Sequence, residues 1–224
     1  MQFRDRSHAG RELAKALAGY KTQQPVVLAL PRGGVLVAAE VCAALNAPLD
    51  LILVRKIGVP FQLELAMGAV VDGGSSIVVR NEDVIRLANV DESTFKVLCN
   101  GALAEIERRR QRYLGSRDRL EIGDRTTIVI DDGIATGATT RAALRATRLH
   151  NPKKLVLAVP VAPTSTIAEL RGEADEIVCL EDNEFFGAIG AYYRDFNQVS
   201  DEAVIDILKR FSDRRVKETK EPAA

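Results

Sequence analysis

Residues 127–139 read TIVIDDGIATGAT, and most positions in this run have a distinct physical use. The apolar stretch ending at Ile130 has the composition of a buried strand, and it delivers Asp131 and Asp132 at the strand's tip. Gly133 to Thr139 then turn into a helix, whose first-turn N–H groups lack partners within the helix and point beyond its end. A dianionic phosphate suits that place. Thr136, Thr139 and Thr140 add hydroxyl donors, and Gly137 lets the backbone come close to phosphate oxygens. Two carboxylates beside an anion site make sense if they accept hydrogen bonds from sugar hydroxyls, so the combination implies a sugar phosphate. The competing reading of the Asp-Asp-Gly portion is an ordinary strand-to-helix turn in which Asp132 caps the helix.

Around this segment, apolar runs alternate with helical periodicity. An amphipathic helix over 7–19 has Ser7 as its cap, Ala9, Leu13, Leu17 and Ala18 on one face, and Gly19 at its stop. PVVLAL (25–30) reads as a buried strand, followed by Pro31-Arg32-Gly33-Gly34 and the helix VLVAAEVCAALN. LDLILV (49–54) is a second strand, which opens through Arg55-Lys56 into a long loop, IGVPFQLELAMG. AVVDG and SIVVR then form a hairpin extending the sheet, and residues 91–114 a long helix. After the segment 125–133 come a helix, a fourth strand KKLVLAVPVAP (153–163) and a fifth, EIVCLED (176–182). This alternation predicts an α/β fold with a mostly parallel central sheet flanked by helices, and ligands beyond the carboxyl ends of its strands. Residues 1–211 are expected to form one domain, and the charged, aperiodic stretch 212–224 to be disordered.

Composition removes several classes of function. With 31 basic and 31 acidic residues and 5% aromatics, the chain lacks the positive field of a typical nucleic-acid binder. The basic run ERRRQR (107–112) reads as the solvated face of a helix. No apolar stretch is long enough to span a membrane and the first residues do not resemble a signal peptide, so a cytoplasmic protein is expected. Cys42, Cys99 and Cys179 are widely spaced among apolar neighbours, as buried free thiols are. The only histidines, His8 and His150, give a Ser-His-Asp arrangement little to work with, and no GxxxxGK[ST] motif occurs.

The run 127–139 resembles the phosphoribosyl pyrophosphate signature of the type I phosphoribosyltransferases. That resemblance implies that Asp131 and Asp132 hold the ribose hydroxyls and that Ala135, Thr136, Gly137, Ala138 and Thr139 wrap the 5-phosphate. Gly133 departs from the family's usual aliphatic residue, and Ala135 stands where hypoxanthine and guanine enzymes carry an aspartate proposed as general base, nearer to the adenine-type pattern. Arg32, Gly33 and Gly34 resemble the family's pyrophosphate loop, and Arg55-Lys56 the pair that begins its mobile flap, in which Glu64 is a candidate acid or base. Residues at about 180–200 correspond to the variable hood over the acceptor, where Phe186 and Tyr193 are candidate stacking residues and Asp195 resembles an acidic hood residue that helps hold Mg²⁺ in some purine enzymes. RDRSHAGRELA near the start and YYRDFNQVSDEAV near the end extend the similarity to a poorly characterised group of predicted bacterial phosphoribosyltransferases.

The implied fold is type I phosphoribosyltransferase-like, with a small hood built from the C-terminal and N-terminal regions and a flap hairpin. The implied chemistry is transfer of phosphoribosyl to a nitrogenous base or other small nucleophile, with Mg²⁺ and release of pyrophosphate. Arg32, Lys56, Asp131 and Asp132 would be the catalytic set. Mg²⁺ would be held mainly by ligand oxygens, Asp132 being the protein's own candidate. The alternative is a sensor that binds phosphoribosyl pyrophosphate without turnover. The expected partners are that ligand, an unidentified acceptor and a second copy of the chain as a homodimer.

Overall fold

The computed structural model describes residues 2–73 and 75–218. Strands β1 (Val26–Ala29), β2 (Leu49–Leu51), β6 (Thr126–Ile130), β7 (Lys154–Pro163) and β8 (Glu176–Asn183) form one parallel sheet in the order β2-β1-β6-β7-β8. Sequence order and spatial order disagree at β1, whose neighbours are β2 on one side and β6 on the other. In open α/β sheets ligands bind outside the carboxyl ends of the strands at such a switch point, and the two glycine-bearing loops of the sequence follow β1 and β6 there.

Both faces of the sheet are covered at its centre, which explains why β1 and most of β7 are apolar on both sides rather than alternating, whereas the edge strand β8 is only partly buried. On one face, Val27, Ala29, Ile128, Ile130 and Val156 pack against α1 (Arg6–Ala16), α2 (Gly33–Leu45), α4 (Glu92–Tyr113) and α7 (Asp201–Glu218). On the other, Val26, Leu28, Val129, Leu155 and Leu157 meet α5 (Ala138–Arg148) and α6 (Thr164–Leu170). A third small cluster, made of Phe3, Ala9, Val161 and Tyr193, joins the N-terminus to the hood region. The backbone zips the two together, with Phe3 N donating to Tyr192 O at 2.8 Å and Arg194 N to Phe3 O at 2.9 Å. Full burial of the Phe3 side chain contributes about 1.5–3 kcal/mol to this attachment.

Several local expectations change. Asp5, not Ser7, caps α1: its Oδ1 accepts from His8 N at 2.7 Å, so the helix starts earlier and buries Arg6. The stretch 57–68 is not a long loop. It belongs to β3 (Val54–Val59) and β4 (Gln62–Gly73), joined by a tight turn in which Phe61 takes φ 65°, and Gly58 sits at a register shift in the ladder. β5 (Ser75–Arg80) completes a separate three-stranded antiparallel sheet, so the hairpin does not extend the central sheet. Gly58 and Pro60, which resemble loop residues in sequence, serve a bulge and a turn within strand pairing. Short helices α3 (Glu82–Leu87) and α6 follow β5 and β7. α7 carries helical backbone to Glu218, into the tail expected to be disordered, and residues 219–224 lie outside the described residues.

The run ERRRQR is on the exposed side of α4 but not idle: Arg108 and Arg109 pair with Glu105, and Arg112 with Asp201 and Glu202. None of the three cysteines is in a disulfide; Cys42 and Cys99 are buried as expected, and Cys179, on the edge strand, only partly so. No helix among the described residues is long and apolar enough to cross a membrane.

Candidate functional site

The tip of β6 and the start of α2 meet in direct contact, and glycines make this possible. A Cβ at Gly34 would lie 2.8 Å from the Ile130 carbonyl oxygen and 2.9 Å from Asp131 Cα. A Cβ at Gly33 would overlap the Asp132 carboxylate and lie 2.8 Å from Arg6 Nε. Gly33 and Gly34 therefore let the β1–α2 loop close onto the two aspartates, and the Pro31–Arg32 peptide there is cis. Three of the sequence's candidate features, Arg32-Gly33-Gly34, Asp131-Asp132 and the loop 134–139, converge at the switch point.

Asp131 and Asp132 are both partly buried, and Asp132 N donates to Asp131 Oδ1 at 2.8 Å. Burial, together with the neighbouring Asp132 carboxylate, raises the Asp131 carboxyl well above the usual carboxylate range. Asp132 has a cationic partner that sequence reasoning missed: Arg6 Nε donates to its Oδ2 at 2.6 Å. Nothing in the local pattern around Arg6 marks it, since an arginine in the first turn of an amphipathic helix ordinarily faces water; here its partners Asp132, Asn197 and Phe196 come from distant parts of the chain. Tyr193 OH donates to the Asp132 carbonyl at 2.6 Å, and burial raises this phenol's pKa. Tyr193 stacks on Phe196 at 5.0 Å and supports the site from beneath.

Asp132 does not cap α5. The cap position is Gly137, in the left-handed region at φ 73°, and no side chain bonds to the helix start. The first-turn N–H groups are thereby left to a ligand or water. Thr166 Oγ1 donates to the Ala135 carbonyl at 2.9 Å and Ile134 N to the Val161 carbonyl at 2.9 Å, so the cradle loop is anchored from β7 and α6. Ala135 and Thr136 are exposed, Ala138 and Thr139 partly so, while Thr140 is buried in the packing. Gly133, where a larger aliphatic residue was expected, has its missing side chain replaced by the hood: a Cβ there would lie 2.5 Å from Ile189 Cγ2.

Arg32 is partly exposed, and its Nη1 lies 3.6 Å from Asp201 Oδ1 at the start of α7. Asp201 also accepts from Tyr113 OH and pairs with Arg112 at 2.8 Å. Burial and the Asp201 carboxylate push the Tyr113 phenol up to about 12, and the phenol's hydrogen bond in turn lowers Asp201. Arg55 and Lys56 occupy successive positions of β3, opposite Val70 and Ala69, so their side chains point to opposite faces. Lys56 lines a cavity of about 390 Å³ together with Ala138 and Arg141 of α5, whereas Arg55 is exposed. Glu64 belongs to β4, but its side chain lies outside the described residues. In the hood, Phe186 stacks on Tyr192 at 5.1 Å, Phe185 is exposed, and the exposed Asp195 accepts from Asn197 N. Among the described residues no cluster of three His, Cys, Asp or Glu side chains could hold a metal ion.

A parallel sheet with a switch point, an uncapped helix start and paired carboxylates beside it is the arrangement of an open α/β protein with its candidate site at the carboxyl ends of the strands. Residues 4–197 match the family model described as "Phosphoribosyl transferase domain", and the chain belongs to that family. It is 47% identical over 208 residues to Rv0571c and to MT0597, each from a strain of Mycobacterium tuberculosis and each provisionally named a phosphoribosyl transferase. Those matches cover 93% of this chain and 46% of the relatives, so the chain spans about half their length. The crystal structure of TT1426 from Thermus thermophilus is similar with a TM-score of 0.83 and 42% identity, covering 94% of this chain and 99% of that one.

Proposed function

We propose that this chain binds phosphoribosyl pyrophosphate with Mg²⁺ in the crevice above β1 and β6, and transfers the phosphoribosyl group to a small nucleophile. The observation that supports the reading is the close approach of Gly33 and Gly34 to Asp132 and Asp131, as a leaving-group loop beside ribose-holding carboxylates would require. The uncapped start of α5 holds the 5-phosphate through backbone N–H groups and the Thr136 and Thr139 hydroxyls. Asp131 and Asp132 accept from ribose hydroxyls and fix the sugar's orientation.

The start of α2 and Arg32 bind the pyrophosphate, and their field stabilises the charge that gathers on it as the C1–O bond breaks. Lys56 lines the same cavity as Ala138 and Arg141 of α5 and adds positive charge on that side. The acceptor's lone pair then forms the new bond to C1, and no protein nucleophile is needed. Mg²⁺ fits this donor set: the Asp131 and Asp132 carboxylate oxygens are hard donors, suited to a cation that would be shared with phosphate oxygens. When bound, it neutralises charge on the departing pyrophosphate. With Ala135 in the cradle loop, no carboxylate is supplied there to deprotonate an acceptor.

A sensor would bind the same ligand without turnover, and the two readings separate on one assay. Purified chain is mixed with phosphoribosyl pyrophosphate, Mg²⁺ and a panel of purines, pyrimidines, other amines and water alone, and pyrophosphate release is followed. Release that depends on one acceptor supports transfer, and tight binding without release across the panel refutes it in favour of the sensor.

A further inference from the structure

Arg6 lies in the first turn of α1, far in sequence from every motif of the site, yet only 8% of the residue is exposed. An arginine is buried at such a level only when its charge is matched and its donors are used. Here Nε donates to Asp132 Oδ2 at 2.6 Å, Nη1 donates to the Asn197 carbonyl at 2.8 Å, and the guanidinium carbon lies 3.8 Å from the centre of the Phe196 ring. Gly33 closes the remaining side, because a Cβ there would lie 2.8 Å from Nε. One rigid, planar group is thus held by a carboxylate, a hood carbonyl, a hood ring and the β1–α2 loop, which fixes both its position and its plane.

We propose that Arg6 is a positioning residue for Asp132: it commits Oδ2 to the guanidinium, so that the carboxylate presents Oδ1 to a ribose hydroxyl, and it ties the hood to that carboxylate. The proposal rests on the ribose-phosphate reading above. Its physical basis is that Asp131 and Asp132 are adjacent carboxylates in a partly buried place, where mutual repulsion would otherwise turn them apart. The guanidinium supplies the compensating charge and the direction. Lysine would supply the charge without the planar in-line donors, since its ammonium is a point charge on a flexible stem. A merely structural ion pair between α1 and the hood would instead affect how much protein folds, not how the folded protein holds the sugar.

The test compares wild type, Arg6→Lys and Arg6→Ala by thermal melting, by titration with phosphoribosyl pyrophosphate and Mg²⁺, and by steady-state kinetics with whichever acceptor supports release. The expected result is binding weakened tenfold or more in Arg6→Ala and partly restored in Arg6→Lys. KM for phosphoribosyl pyrophosphate should rise while KM for the acceptor stays unchanged. If Arg6→Ala does not fold, Arg6→Lys decides alone, with a melting temperature near wild type and binding weakened several-fold. Folded variants that bind as tightly as wild type overturn the positioning role and leave the proposed function standing. A wild type that binds no phosphoribosyl pyrophosphate overturns both.

Discussion

Replacing Gly33 by alanine tests the contact on which the site depends, because two opposing effects have estimable sizes. Gly33 begins α2, and alanine in a helix is favoured over glycine by up to about 1 kcal/mol. Against that, the new Cβ would overlap the Asp132 carboxylate and approach Arg6 Nε to 2.8 Å, inside the 3.0 Å that real Cβ contacts respect. Neither neighbour is free to move: the Arg6 and Asp132 side chains are 9% and 14% exposed and bonded to each other. Overpacking of this kind costs about 1–3 kcal/mol, and separating a largely buried pair adds to it, so the steric effect outweighs the helix preference. Because every 1.4 kcal/mol is about a tenfold change, a strain borne mainly at Asp132 should weaken phosphoribosyl pyrophosphate binding at least about tenfold. Calorimetric titration and a denaturant melt measure the two quantities. Gly19→Ala is the control, since beyond its chain neighbours no atom lies within 4 Å of a Cβ there: it should leave binding unchanged and the melt unchanged or slightly raised. A Gly33→Ala protein that melts and binds like wild type would refute the close packing of the two loops.

Three further expectations concern charged and titratable groups. Asp201→Asn removes the counter-ion 3.6 Å from Arg32, and since that pair is partly solvated the effect should be modest: inorganic pyrophosphate binding tighter by up to about fivefold, with weaker binding implying that Asp201 orients Arg32 instead. Glu105 is held down to about 2 by Arg108 and Arg109. Its folded pKa is depressed, so its stabilisation is present at neutral pH and lost as pH falls from about 4.5 toward 2; Glu105→Gln should melt slightly lower at pH 7, by less than about 1 kcal/mol for exposed pairs, and match wild type near pH 2. Burial pushes the Cys179 thiol up to about 11, so an alkylating agent at pH 7.5 should modify it only after denaturation; rapid labelling of native protein at this position would contradict its packing.

How much of this was legible in the sequence depends on whether a residue acts through its neighbours along the chain or across the fold. The inner strands of the central sheet announced themselves because burial on both faces favours continuous apolar runs, as in Val26 to Ala29 and Ile128 to Ile130. The turn into α5 was legible because it rests on a local backbone conformation that glycine favours, and Gly137 takes it at φ 73°. The hairpin was misread at Gly58 and Pro60, where turn residues serve strand pairing that only the partner strand reveals. Arg6 was missed because its partners, Asp132 and Asn197, lie more than a hundred residues away and nothing local requires an arginine. Arg55 and Lys56 look like one basic pair in sequence, yet the two-residue period of a strand sends them to opposite faces. Gly133 read as a departure from the family pattern, and Ile189 explains it by filling the space from the hood.

The central claim is that the aspartates at the tip of β6 hold the sugar of phosphoribosyl pyrophosphate. Isothermal titration of that ligand with Mg²⁺ into wild type and into the Asp131→Asn/Asp132→Asn double variant tests it most directly. The expected result is binding to wild type that is lost in the variant while its melt remains cooperative. Equal binding by both proteins would move the site elsewhere, and no binding by wild type would contradict the account.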